Sequence, residues 1–185
     1  MKRKSKDKKM IIFGAVILVF LLSFFFDNKF ISLMHLVKSL ALDYAADWFS
    51  NVASIMIVLL IITSLFLWEE KKQKWIKPLW VSFALTAITS IFLKLVITRP
   101  RPAGEAFFMF TKVADYSFPS IHTALAFSVL PVLDKEYPKL KWFWASFAVF
   151  VGLSRLYLGM HYLSDVIGGA VIGYLIGWLV VSRKS

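Results

Sequence analysis

The chain has 185 residues, 59% of them hydrophobic and 18% charged, with a formal charge of +11 and a mean hydropathy of +0.71. Soluble domains are about 45–50% apolar and roughly 25% charged, so this composition excludes a water-soluble globule, a disordered chain and a collagen-like repeat. The absence of Cys excludes a disulfide scaffold, and the length holds one domain or one bundle of helices.

A membrane-spanning helix needs about 20 mostly apolar residues. Runs of this kind fall, in chain order, at Met10–Phe26, Asn51–Trp68, Leu79–Thr98, Pro119–Leu133, Trp142–Gly159 and Tyr162–Val181. The first follows a basic KRKSKDKK stretch and runs into Asp27 without a small-residue cleavage site, so it reads as a retained signal anchor. Between the first two runs, Leu33, Val37, Leu40 and Tyr44 share one helical face, opposite Ser32, His35, Ser39 and Asp43. That periodicity predicts an amphipathic helix lying in the interface. In the last run Gly169, Gly173 and Gly177 recur every fourth residue, which permits close helix contact. Trp48, Trp68, Trp75, Trp80, Trp142, Trp144 and Trp178 fall near the ends of the runs and are expected to anchor the interfaces. The fold class expected is all-α: an integral membrane bundle of six transmembrane helices over residues 10–182, with a basic tail at 1–9.

The basic residues set the orientation. Six spans put both termini on one side, with the loops at 69–78 and 134–141, and that side carries 15 of the 22 Lys and Arg. The opposite side, 27–50 plus 99–118, carries 5. Basic residues mark the cytoplasmic side, so both termini are expected there, in a multi-pass protein of the cell membrane. The positive charge is a topology signal, and no nucleic-acid partner is expected.

Ionisable groups inside spans are expensive and each needs a reason. Lys94, His122, Arg155 and Asp165 lie in the runs, with His161 at the edge of the sixth. The alternating directions of the spans bring all five to the outer face, together with Ser120 and the loop residues Arg99 and Arg101. Singly, a Lys or Arg can snorkel to the headgroups and a His can be a packing residue. Several cations, two His and one carboxylate at one mouth call for chemistry. Fixed cations, a hydroxyl and open amides at a helix N-terminus suit a phosphate group. Two His, one backed by a carboxylate, offer a nucleophile or base and a separate acid. So many cations would repel a divalent ion, so no metal and no cofactor is expected.

These residues carry a family resemblance. KLVITRPRP supplies Lys94, six residues, then Arg101 and Pro102; PSIH spans Pro119 to His122; SRLYLGMHYLSD supplies Ser154, Arg155, His161 and Asp165. The three parts, over 94–165, resemble the K-x6-R-P, P-S-G-H and S-R-x5-H-x3-D signature of the PAP2 superfamily, the type 2 phosphatidic acid phosphatases. The resemblance implies that His161 attacks phosphorus and becomes a phosphohistidine, that Asp165 orients it, and that His122 protonates the leaving group. It also implies that Lys94, Arg101, Arg155, Ser120 and the amide of Ile121 hold the phosphate oxygens. Ile121 stands where the family has Gly, so the loop there must suit a β-branched residue, which cannot readily take positive φ. Arg99 offers a second arginine that could substitute for Arg101 or touch a second phosphate.

The function expected is therefore a membrane lipid phosphate phosphatase with its active site at the outer face. Polyprenyl diphosphate, phosphatidic acid and phosphatidylglycerol phosphate are the candidate substrates, with a slight preference for the first. The competing reading is a transporter or flippase for a phosphorylated lipid, which would use the cations without hydrolysis. No inverted repeat supports it, and transport has no need of a His–Asp pair with a second His.

Overall fold

A computed structural model describes the backbone of residues 2–51, 55, 57–69, 71–102 and 116–184, and among these every regular element is a helix. The start of the second expected span and most of the 99–118 loop lie outside the described residues. The helices are α1 (Lys2–Leu36), α2 (Leu40–Ser50), α3 (Ile57–Phe66), α4 (Ile76–Ile97), α5 (Ile121–Ser128), α6 (Leu130–Glu136), α7 (Lys141–Tyr157) and α8 (Leu163–Ser182). Among the described residues three stretches are long and apolar enough to cross a membrane: Gly14–Leu36, Gln73–Ile97 and Leu163–Ser182.

Local sequence explains most of the boundaries. No Gly or Pro follows Phe26 in α1, so the helix runs on to Leu36. The segment 27–50 is thus divided between the end of α1 and α2. Ser39 opens α2 as its N-cap, accepting from the Leu42 amide at 3.4 Å. Pro78 sits in the first turn of α4, where its missing N–H costs nothing. At the other end Thr98 takes a left-handed φ of 48° and returns its N–H to the Lys94 carbonyl. Pro100 then bars a further turn. The fourth expected span is two helices, because Pro131 has no N–H for the carbonyl four residues back, and the chain turns at Val129.

α8 is the centre of the bundle, packed against α5, α1, α4 and α6, while α7 rests on α5 and α2. The glycine repeat sets the tightest contact. A Cβ on Gly169 would stand 2.6 Å from the Ser120 carbonyl oxygen; one on Gly173 or Gly177 would stand 2.0 Å from that of Ala124 or Ser128. The backbones of α5 and α8 therefore touch along their length, as the spacing of the glycines leads one to expect. α2 is fastened to α7 by polar contacts: the Tyr157 hydroxyl donates to Asp43 at 2.7 Å, and Ser50 and Ser154 lie 2.9 Å apart.

One apolar core is built from Leu59, Leu60, Leu79, Val129, Leu133, Val151 and their neighbours. Trp75 and Trp144 belong to it, 4% and 5% exposed, which corrects their assignment as interface anchors. The other five tryptophans are exposed. Large apolar side chains such as Phe25, Ile88, Phe92, Val96 and Trp142 also cover the outside of the bundle. Such a surface needs lipid rather than water around it.

Candidate active site

Lys94 lies in the last turn of α4 and is 3% exposed. Its Nζ donates to the carbonyl of Tyr116 and, at 3.5 Å, to that of Ser117. Arg101 follows the turn after α4, and its guanidinium donates to the Met160 carbonyl at 3.1 Å. The first and third parts of the signature are thus joined directly.

The second part enters α5. Ser120 is the N-cap, wholly buried, with its hydroxyl 2.9 Å from that of Thr123. Its amide donates to the Asp165 carbonyl at 3.1 Å, which ties the start of α5 to the first turn of α8. Ile121 is the first residue of α5, and Thr98 is the one non-Gly residue with positive φ among the described residues. The position thus asks for no glycine, and Ile121 keeps the amide of a helix N-terminus.

The third part forms the turn from α7 to α8. Arg155 lies in the last turn of α7 and is 4% exposed. Gly159, with φ 67°, closes that helix: its amide donates to Leu156, and the Met160 amide to Arg155. This pair of bonds is a Schellman motif, in which a left-handed glycine ends the helix sharply. His161 follows at once, 1% exposed, and Tyr162 is the N-cap of α8. Asp165 occupies the third position of that helix, where its Oδ2 accepts the Tyr162 amide at 2.8 Å. The same oxygen lies 3.7 Å from Nδ1 of His161, close enough for electrostatic support and too long for a hydrogen bond.

Electrostatically the residues form one unit. Lys94 feels Arg101, Arg155 and Asp165, while His122 and His161 both feel Lys94, Arg101 and Arg155. Neither Lys94 nor Arg155 has an ion-pair partner among the described residues. Two buried carboxylates, Asp27 and Asp165, pair instead with Arg99 at 2.7 Å each. Nε of Arg155 and both ring nitrogens of His122 and His161 are buried without a hydrogen-bond partner among the described residues. Buried donors and cations left in this state are costly unless something negative and oxygen-rich meets them.

Arg99 is placed differently from Arg101. Its guanidinium donates to Asp27, Ser164 and Asp165, each at 2.7 Å, and lies 4.0 Å from the centre of the Tyr162 ring. Asp27 and Ser164 were not singled out by the sequence. An unbroken helix through Phe26 would have marked Asp27 as a carboxylate carried inside α1 rather than the start of an interfacial segment.

The PAP2 superfamily model matches residues 75–184, more than half of the chain. A bacitracin transport permease protein of Bacillus licheniformis is 44% identical over 33% of this chain and 30% of its own length. An undecaprenyl-diphosphatase of Sulfolobus acidocaldarius is 30% identical over 67% of this chain and 62% of its own. The chain thus spans less than two thirds of the length of these relatives. The crystal structure of a transmembrane PAP2-type phosphatidylglycerolphosphate phosphatase from Bacillus subtilis superposes with a TM-score of 0.72 at 25% identity, covering 92% of this chain and 94% of that one. With the signature residues gathered at the junction of α4, α5, α7 and α8, and the match running through all of them, the chain belongs to the PAP2 superfamily.

Proposed function

We propose that the protein is a membrane lipid phosphate phosphatase that works through a phosphohistidine. The observation that carries this reading is the convergence of Lys94, Arg101 and Arg155 on the buried His161 and the half-buried His122, while the nearby carboxylates are occupied by Arg99. In this scheme the Nδ1 side of His161 faces Asp165, leaving Nε2 to attack phosphorus. The bond from phosphorus to the lipid or diphosphate oxygen breaks, and His122 gives its proton to that oxygen. Water then attacks phosphorus and loses a proton to His122, the P–N bond breaks, and inorganic phosphate leaves. Lys94, Arg101, Arg155, Ser120 and the Ile121 amide hold the equatorial oxygens as charge builds, which is where most of the acceleration in phosphoryl transfer arises. The protein's cations take the part that a divalent ion would otherwise play. Activity is therefore expected to persist in excess chelator, and a loss in EDTA restored by a divalent ion would refute that part of the reading.

The names of the relatives favour a polyprenyl diphosphate or phosphatidylglycerol phosphate as substrate, with phosphatidic acid a third candidate. A phosphate-release panel on the purified protein, comparing these three lipids with a soluble phosphomonoester, tests the proposal. Release from at least one lipid, faster than from the soluble ester, is expected; no release from any lipid would overturn it. One relative bears the name of a transport permease, which favours the non-hydrolytic alternative. That alternative predicts lipid movement across a vesicle membrane with no free phosphate.

The site is assigned to the outer face of a six-span chain with both termini in the cytoplasm, on the strength of the 15-to-5 distribution of basic residues. Single cysteines introduced at the exposed positions Lys38 and Gln73 test this in a chain that has none of its own. Lys38→Cys is expected to react with an impermeant thiol reagent on intact cells, and Gln73→Cys only after lysis. The reverse pattern would invert the topology, and labelling of both from one side would refute the span count.

A further inference from the structure

Asp27 stands outside the signature, yet it is 5% exposed and fully engaged. Its Oδ1 accepts the Ser164 amide at 2.8 Å, and its Oδ2 accepts both the Ser164 hydroxyl and Arg99, each at 2.7 Å. The first helix thereby holds the first turn of α8, from a residue 137 positions away in sequence. A carboxylate on an amide at a helix N-terminus is favourable in itself. The chain of contacts goes further. Arg99 also grips Oδ1 of Asp165, whose Oδ2 faces His161.

We infer that Asp27 is a positioning residue for the nucleophile, acting through Arg99 and Asp165, and that Arg99 serves this network rather than the substrate phosphate. The two oxygens of Asp165 are contested. Arg99 fixes Oδ1, and the Tyr162 amide and His161 share Oδ2. Arg99 stays on Oδ1 because Asp27 holds the other arm of its fork, and Tyr162 covers its face. Without Asp27 that arm is a half-buried donor that has lost its carboxylate, close to the cations of the site. It would then turn to Oδ2 or to the incoming phosphate, and either move pulls Asp165 out of register with His161. Two carboxylates around one arginine also keep its charge from adding to those of Lys94, Arg101 and Arg155.

The inference rests on the phosphatase reading, and its test separates the two. Wild type, Asp27→Asn, Asp165→Asn and the double variant are assayed as full-length protein in detergent with an activated aryl phosphate and a lipid phosphate. Thermal unfolding measures the folded fraction of each. Asp27→Asn is expected to lower kcat per folded molecule by between about ten- and a hundredfold, the range that small misplacements of a reacting group produce, with KM changed less than about twofold. In the Asp165→Asn background the same change is expected to cost less than about twofold, because its route to His161 is already cut. A purely structural role would lower the folded fraction and leave kcat per folded molecule unchanged, which overturns the inference. Equal losses in both backgrounds also overturn it. Should Asp27→Asn fail to fold, Ser164→Ala, which removes one hydroxyl shared by Asp27 and Arg99, is read in its place with the same non-additivity required. If wild type releases no phosphate from either substrate, the phosphatase reading falls and this inference with it. If wild type is active and the Asp27 and Ser164 variants match it, only this inference falls.

Discussion

His161→Ala is expected to reduce phosphate release by at least about 10⁴-fold, because the side chain that forms the covalent intermediate under the proposed scheme is gone. The loss should be similar for a lipid phosphate and for an activated aryl phosphate, since both begin with the same attack on phosphorus. The other histidine behaves differently under this scheme. His122→Ala should cost an activated aryl phosphate much less than a lipid phosphate, because a good leaving group needs little help from a proton. Measuring kcat for both variants on both substrates checks the assignment. Equal losses across the two substrates in His122→Ala would remove it from the role of acid, and substantial turnover by His161→Ala would remove the covalent step.

Gly173→Ala should be the most damaging small substitution in the bundle. The added Cβ would lie 2.0 Å from the Ala124 carbonyl oxygen, and the obstacle is backbone rather than a side chain that could swing aside. To reach ordinary contact, α5 and α8 must separate by more than about 1 Å. A cost of at least about 3 kcal/mol is expected, the upper end of what overpacking brings. Activity should fall further than stability alone explains, because α5 carries Ser120 and His122 while α8 carries Asp165 and follows His161. Gly14→Ala is the control, with nothing within 4 Å of the added methyl. Thermal unfolding and kcat of the two variants decide the matter: a Gly173→Ala protein as stable as the control would show that the helices are not in backbone contact.

The candidate site is legible in the sequence as far as its parts are local patterns. The spacing from Ser154 to Asp165 encodes a helix end, a glycine turn and a helix start, and the structure uses Gly159, His161 and Asp165 in those places. The glycine repeat likewise announced a close helix pair, since only one arrangement lets three glycines four apart share a face. What the sequence hid lies in contacts between distant segments. Asp27 meets Ser164 and Arg99 across the bundle, and no period or motif links them. The two arginines of Arg99-Pro100-Arg101 are alike in sequence, and their separate partners appear only when α1 and α8 are in place. Position along a run likewise cannot say which face a tryptophan takes, and so Trp75 and Trp144 were expected at the interface and are found in the core. The extent of α1 has a plainer reason: Asp27 reads as an end in the sequence, yet a helix with no breaker continues through a charge that finds a partner.

The most direct test of the covalent route is the stereochemical course at phosphorus, followed with a substrate ester made chiral by sulfur and oxygen isotopes. Two successive in-line displacements, first by His161 and then by water, each invert the centre, so the product phosphate should show overall retention. Inversion would mean that water attacks the substrate directly, and it would contradict the role assigned to His161.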